Sequence, residues 1–398
     1  MSTSSPQRLA VKLKPNAERL VKKGHPWIFS ESIAKINKEG RSGDLAILFN
    51  SKSNDVYGIG LYDPNSAIRI KVLSTKKTDI NKSFFENRID EAFSKRKGLL
   101  NSKTNAYRIL FGENDGFPGF IADVYNNVLV IKLYNNIWFP YLELIYYKLV
   151  EVSSSKAVVI RLSRNLQKIR TNYKDGEVIY GELPSDTIQF AEHGLQFLAN
   201  VIKGHKTGYF LDHRHNRKRV GAMATGKTVL DVFSYAGGFS VHALVGGARE
   251  VTSLDISRQA LEIAQANAQL NSFSGIHHVL CGDAFDVLTR LLQENKKYDL
   301  VVVDPPSFAK RSSEIEGALK AYSRLVRLAS KLTANKGVFV MASCSSRIPS
   351  DEFFKLVDSL LQNQDKNWIP LERTYHDIDH PIGFKEGAYL KCGYYKLD

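Results

Sequence analysis

From Gly226 onward, short apolar runs alternate with stretches whose apolar residues recur at helical spacing. Thr228 to Phe233, Glu250 to Asp255, His278 to Cys281, Asp299 to Asp304 and Gly337 to Ser343 are predicted strands. Arg258 to Asn271 and Ala318 to Leu332 are predicted helices, the latter ending before the stop signal Asn335-Lys336-Gly337. This alternation predicts a parallel, doubly wound sheet, an α/β fold. Upstream the rhythm differs. Within residues 8–75, Asp44 to Phe49, Val56 to Tyr62 and Ile68 to Leu73 read as strands between Gly, Asn, Asp and Pro turns, with a helix near Asn16 to Lys23. Phe84, Phe85, Ile89 and Phe93 predict a connecting helix within 76–102, and Phe120 to Val124 and Val128 to Leu133 a β-meander about Asn126-Asn127. Three domains are expected: 1–80, a central α+β segment over 81–195, and 196–398.

At 398 residues, with 43% hydrophobic and 24% charged positions, the chain has the make-up of a globular protein with more than one core. The formal charge of +14 suits a polyanionic partner, and residues 1–80 carry half of it, 14 Lys and Arg against 7 Asp and Glu. Lys12, Lys14, Lys22 and Lys23 are candidates for phosphate contact, with a solvated charged face as the plainer reading. Three cysteines without a CxxC pair suggest neither a disulfide framework nor a cysteine zinc site, and no metal is expected. With no signal-like apolar core near the start and no apolar run of about 18 residues, a cytoplasmic protein without a membrane partner is expected. A homodimer is left open.

The candidate chemistry lies at the carboxyl ends of the predicted strands, where doubly wound sheets bind ligands. Asp231-Val232-Phe233-Ser234-Tyr235-Ala236-Gly237-Gly238 is a strand end running through a small-residue turn into a helix. Asp255 ends the next strand, placed to accept from ribose hydroxyls, and Gly282-Asp283-Ala284 follows the third, placed to meet an adenine. Each Asp taken singly is a turn or helix-cap residue. Asp304-Pro305-Pro306-Ser307-Phe308 closes the fourth with a rigid exit suited to a flat, inserted base. Ala342-Ser343-Cys344-Ser345-Ser346 puts a thiol on the same rim. A thiolate adding to carbon 6 of a pyrimidine makes carbon 5 nucleophilic; the plainer reading is a packed core cysteine, which is how Cys281 and Cys392 are read.

Asp231, Asp255, Asp283 and Asp-Pro-Pro together resemble the motifs of class I methyltransferases that use S-adenosylmethionine (SAM). Over nearly the whole chain the sequence resembles the bacterial ribosomal RNA large subunit methyltransferase I family, which makes 5-methylcytosine in large-subunit rRNA. The resemblance runs through Gly24-His25-Pro26-Trp27-Ile28-Phe29, through residues 112–119 (GENDGFPG), and through residues 204–214 (GHKTGYFLDHR). It implies an N-terminal PUA β-barrel-like RNA-binding domain, a central α+β domain, and a Rossmann-like methyltransferase domain. It also implies SAM as cofactor, ribosomal RNA as partner, Cys344 as nucleophile and Asp304 at the base and cofactor. Lys206, Gly208, Phe210, Asp212, Asp231, Phe233, Tyr235, Gly238, Asp255 and Asp283 would complete the cofactor site, with Arg214 organising the pocket. Trp27 and Phe29 are candidates for stacking or for core, while His205 and His213 are candidates for catalysis or for facing the RNA, with a structural role as the plainer reading. Asp379-His380-Pro381 belongs to the resemblance without a role. Other RNA 5-methylcytosine enzymes carry a second cysteine after the motif proline, where this chain has Ser307. The alternatives are therefore a 5-methyluridine enzyme, a base N-methyltransferase needing no Cys344, and a non-catalytic RNA-binding assembly factor.

Overall fold

The computed structural model describes residues 5–364 and 367–398. The chain forms two compact units that are not contiguous in sequence. The first takes the chain up to Phe190 together with Ala199–Phe210 and Ile378–Gly387; the second takes Ala191–Leu198, Leu211–Asp377 and Ala388–Asp398.

In the first unit, residues up to 74 build a six-stranded sheet in the order Trp27–Phe29, Ile68–Ser74, Val56–Tyr62, Leu45–Phe49, Arg8–Leu13, Ile33–Ile36. Leu9, Val11, Leu13, Val21, Ile28, Leu48 and Ile70 fill its core, the alternating positions of the strands supplying one face. Gly60 is required where neighbouring strands close in: a Cβ there would lie 2.6 Å from the Lys71 carbonyl oxygen. A five-stranded sheet follows, in the order Glu177–Gly181, Ala157–Leu162, Val128–Leu133, Phe120–Tyr125, Ala106–Phe111. Helices Lys82–Leu100 and Leu142–Ser153 share one apolar core with it, centred on Phe85, Phe117, Phe120 and Trp138. The connecting helix starts where Asn81 accepts from the Phe84 N–H. Trp27 is half-buried and donates its indole N–H to Glu113, whereas Phe29 is exposed.

A charged pair is sealed in this unit. Arg96 donates twice to the Asp115 carboxylate, at 3.0 and 2.5 Å, and its remaining donors go to the carbonyls of Ala92, Arg108 and Asp379. Asp379 also accepts from the Arg108 N–H and from His380, so Asp379-His380 serves to tie this network together. The pair is held by its satisfied donors rather than by net attraction, since desolvating two ions costs nearly what their contact returns.

The second unit is built on a seven-stranded sheet. Its strands are β1 (Thr228–Val232), β2 (Glu250–Asp255), β3 (Ile276–Cys281), β4 (Tyr298–Val303), β5 (Thr333–Cys344), β6 (Trp368–Thr374) and β7 (Leu390–Leu397). The order is β3-β2-β1-β4-β5-β7-β6; β7 runs antiparallel to both neighbours and the other recorded pairings are parallel. This is the doubly wound sheet expected, with two further strands, β6 and β7, that hydropathy had not indicated. Helices α1 (Arg214–Met223), α2 (Gly238–Val245), α3 (Arg258–Gln269), α4 (Ala284–Gln293), α5 (Ile315–Leu332) and α6 (Ser350–Gln362) complete the unit. Val301, Val303, Tyr322, Leu325, Phe339, Met341, Phe353 and Val357 are among its buried core. Cys392 is buried as expected, but Cys281, expected in the core, is exposed: it ends strand β3 at the edge of the sheet.

Among the described residues no helix is long and apolar enough to cross a membrane. Replacing Arg96 with Met should strand the Asp115 carboxylate and destabilise the protein by about 3–5 kcal/mol, read as a lower denaturant midpoint, while an exposed control, Lys82→Met, should leave it nearly unchanged.

Candidate active site

The rim formed by the carboxyl ends of β1 to β5 gathers the chemistry of the second unit. Register explains why: Val232 is level with Val303, so the residues leaving β1 and β4 emerge together, and Val303 is level with Met341, three residues before β5 ends at Cys344. After β1 the backbone turns sharply, with Phe233 (φ 65°), Tyr235 (φ 47°) and Gly237 (φ 74°) all left-handed. Two non-glycine residues in that region mark a turn held by its surroundings. Asp231 is fully buried, and one carboxylate oxygen accepts from the backbone N–H of Ser240 at 3.0 Å and its hydroxyl at 2.7 Å. It thereby ties the turn to the start of α2, which begins at Gly238. Its other oxygen has no hydrogen-bond partner among the described residues. Burial raises its pKa to about 7, and the carboxylates of Asp304 and Asp255 push the same way against Ser240.

Asp255 accepts from the Tyr235 N–H at 2.9 Å and the Ser257 N–H at 2.9 Å, bracing the same turn. Asp283 caps α4 by accepting from the N–H groups of Phe285 and Asp286. The turn and cap roles anticipated for single aspartates are thus real, and each leaves acceptor capacity on the rim. Phe233 packs against the core of the unit. Asp212 is buried and accepts from the Tyr389 hydroxyl at 2.8 Å; buried Arg214 donates to Asp377 at 3.1 Å. Lys206, Gly208 and Phe210 belong to the first unit, where Lys206 and Phe210 are exposed and the Phe210 ring lies 5.4 Å from that of His205.

Cys344 is half-buried at the end of β5. Its sulfur lies 3.8 Å from Asp304 Oδ1 and 3.5 Å from His213 Nε2, and that nitrogen lies 3.3 Å from the same Oδ1. Sequence reasoning placed Cys344 and Asp304 on one rim but read His213 as structural; nothing local to residue 213 announces its approach to residue 344. The thiol is pushed well above its ordinary pKa by burial, then by Asp304 and Asp212, with Lys391 acting in the opposite direction. Lys391 is itself buried, donating to the carbonyls of Ser345, Ile348 and Tyr389, and burial lowers its pKa to about 8. Burial works against a charged His213, yet Asp304 facing it raises its pKa overall. The loops carrying Asp304 and Cys344 are tied by the Ser345 hydroxyl, which donates to the Ala309 carbonyl.

The strand order of the second unit, the left-handed turn and the acidic strand ends agree with a methyltransferase of the SAM-dependent class. The family model for S-adenosylmethionine-dependent methyltransferases matches residues 108–360, and that for PUA-like domains matches 11–75. The protein uses SAM as its cofactor. More narrowly, the chain belongs to the ribosomal RNA large subunit methyltransferase family: it is 41% identical to the Ribosomal RNA large subunit methyltransferase of Deinococcus radiodurans, over 99% of both chains. It is also 33% identical to the Ribosomal RNA large subunit methyltransferase I of Shewanella frigidimarina, over 96% of this chain and 98% of that one. A solved SAM-dependent methyltransferase from Streptococcus mutans shares the fold, with a TM-score of 0.82 at 23% identity, covering 97% of this chain and 99% of that one.

The buried Asp231 carboxyl makes a pH prediction. Its folded pKa, about 7, exceeds the ordinary ~4 of an unfolded chain, so the native state binds the extra proton between those values and loses stability as pH rises through them. Asp231→Asn removes this term. Without cofactor, the thermal midpoint of the variant should gain on the native protein between pH 5 and pH 8; parallel curves would show that Asp231 is ionised at an ordinary pKa.

Proposed function

We propose that this protein methylates carbon 5 of a cytosine in large-subunit ribosomal RNA through a covalent adduct with Cys344. The observation that carries the reading is the placement of the Cys344 sulfur beside Asp304 Oδ1, at 3.8 Å. SAM supplies an electrophilic methyl group on a sulfonium sulfur. The protein's task is to make carbon 5 of the base reactive. As the sulfur adds to carbon 6, Asp304 gives a proton to ring nitrogen 3, so electron density gathers at carbon 5 instead of building charge on the ring. After methyl transfer, loss of the carbon 5 proton expels the sulfur and restores the aromatic base.

The cofactor fits the residues at the rim. The buried oxygen of Asp231 that has no partner among the described residues suits the cationic amino group of SAM. Asp255 would take the ribose hydroxyls, Asp283 the adenine amino group, and Phe233, Tyr235 and Gly238 the turn against the cofactor, with Asp212 and Asp304 nearby. Lys206, Gly208 and Phe210 are the remaining residues that the family resemblance assigns to the cofactor. The surplus of seven positive charges over residues 1–80, in and around the PUA-like domain, supports capture of the RNA backbone there. Because the target base must reach the rim, it would be flipped from its stack.

Incubating large-subunit rRNA with labelled SAM and digesting to nucleosides should yield 5-methylcytidine. Recovery of 5-methyluridine or of a methylated purine overturns the cytosine reading. Cys344→Ala should abolish transfer while leaving SAM binding intact by calorimetry, and Asp304→Asn should slow transfer by about 10²–10⁴-fold; full methylation by the Cys344 variant would favour methylation of a base nitrogen, which needs no thiol.

A further inference from the structure

Around the Cys344 sulfur stands a group that the scheme above does not use. His213 is buried at the start of α1, and its ring is fixed on three sides. Nδ1 lies 3.0 Å from Asn216 Nδ2. The Asn216 side-chain oxygen is already occupied, accepting from the Tyr394 hydroxyl at 2.9 Å and the Thr374 hydroxyl at 2.6 Å. The amide therefore turns its N–H groups to Nδ1, which accepts. The edge of Phe239 closes a third side, with ring centroids 5.5 Å apart. With Nδ1 accepting, the neutral ring carries its proton on Nε2, which lies 3.3 Å from Asp304 Oδ1 and 3.5 Å from the Cys344 sulfur.

The protonation problem at this site is acute. A thiol in a buried pocket beside two carboxylates resists ionisation, and only the anion adds to carbon 6. Lys391 offsets this from a distance, its own protons being spent on three carbonyls. Among the described residues, His213 Nε2 is the one nitrogen donor with a recorded hydrogen bond to the sulfur.

Resting on the covalent reading proposed above, we propose that His213 is a catalytic residue, its Nε2–H holding the Cys344 sulfur as the reactive anion while Asp304 carries the thiol proton to the base. The step balances. The S–H bond breaks and an O–H bond forms on Asp304; the sulfur then bonds to carbon 6 as Asp304 delivers that proton to nitrogen 3. On elimination water takes the carbon 5 proton, the pair of that C–H bond forms the C5=C6 bond, the C–S bond breaks with its pair returning to sulfur, which His213 again receives, and the nitrogen 3 proton returns to Asp304. Asn216 is a positioning residue that fixes the tautomer, with Tyr394 and Thr374 behind it.

The test uses full-length protein carrying Cys281→Ser, so that the exposed thiol does not report, and compares His213, H213A, H213L and H213Q. Two quantities are read: the single-turnover rate of methyl transfer to rRNA, and the pH midpoint for alkylation of Cys344 by iodoacetamide. That midpoint reflects Asp304, Asp212, Tyr322, Cys392 and Lys391 as well as His213, and only His213 changes in the series. Removal of the donor in H213A and H213L should slow transfer by about 10²–10³-fold, as loss of a single anion-stabilising donor does, and should raise the alkylation midpoint. H213Q, which presents an N–H in similar reach, should recover most of both. Should Ala misfold, the comparison of Leu with Gln decides. Equal rates and midpoints for Leu and Gln would overturn the inference while Cys344→Ala remains inactive; an active Cys344→Ala would instead overturn the covalent reading on which it rests. Stoichiometric zinc with an unreactive Cys344 would also overturn it, because the sulfur would then be a metal ligand.

Discussion

Asp304 donates its backbone N–H to the Val232 carbonyl at 3.2 Å, one rung past the end of β4, and the rim is fixed by that contact. The next two residues, Pro305 and Pro306, have no N–H to offer, so the ladder cannot continue and the chain must leave the sheet there. The carboxyl of Asp304 is thus delivered at the point where β1 also ends. β5 runs three residues beyond Met341, the residue level with Val303, to reach Cys344, held in turn by seven cross-strand pairs to β7 from Val338 to Cys344. A slip of one residue in either pairing would turn Cys344 or Asp304 to the opposite face. Catalytic geometry here is a property of strand register more than of any loop.

Once the rim is set, charge becomes the governing difficulty. Asp304 and Asp255 act on Asp231, and Asp304 and Asp212 on Cys344, and Asp231 answers by holding a proton up to about pH 7. Lys391 is buried and its pKa is drawn down to about 8. A site so rich in acceptors is unfavourable when empty and suits a cofactor bearing a positive sulfonium and an ammonium group. In the proposed reading, the acidity that makes Cys344 reluctant to ionise is the same acidity that would attract the methyl donor, and a donor beside the sulfur would offset it.

The parts of this arrangement readable from sequence are those written in short stretches. Apolar β-branched runs ending in Asp gave β1, β2 and β4 nearly to the residue, and Asp-Pro-Pro announced its own exit from the sheet. β6 and β7 escaped because Trp368–Thr374 contains Pro370 and charged residues, and Leu390–Leu397 mixes Lys391 and Lys396 with apolar positions; β7 pairs with β5 and β6 with β7, partners that no local pattern announces. Cys281 shows the converse error, since cysteine is usually buried but an edge strand leaves it exposed. His213 was illegible for a different reason. It meets Cys344 across 131 positions of sequence, and its ring is aimed by Asn216, Thr374 and Tyr394, each remote from Cys344 in the chain. Proximity of that kind has no one-dimensional signature.

In the covalent reading proposed above, a single thiol would both form and release the adduct, because Ser307 follows Asp304-Pro305-Pro306 where a second cysteine would stand, and Cys392 is buried. The two demands pull in different directions on the sulfur. A strongly basic thiolate attacks well but leaves poorly, whereas a stabilised one leaves well and attacks with less drive. An N–H donor at 3.5 Å lowers the cost of the anion on both sides of the reaction, at the moment before addition and again as the C–S bond breaks. Proton traffic through Asp304 is reversible in the same way, toward the ring nitrogen on addition and away from it on elimination. Symmetric support of this kind is what one thiol requires, and the fixed orientation of His213 supplies it without any group having to move between the two halves of the cycle.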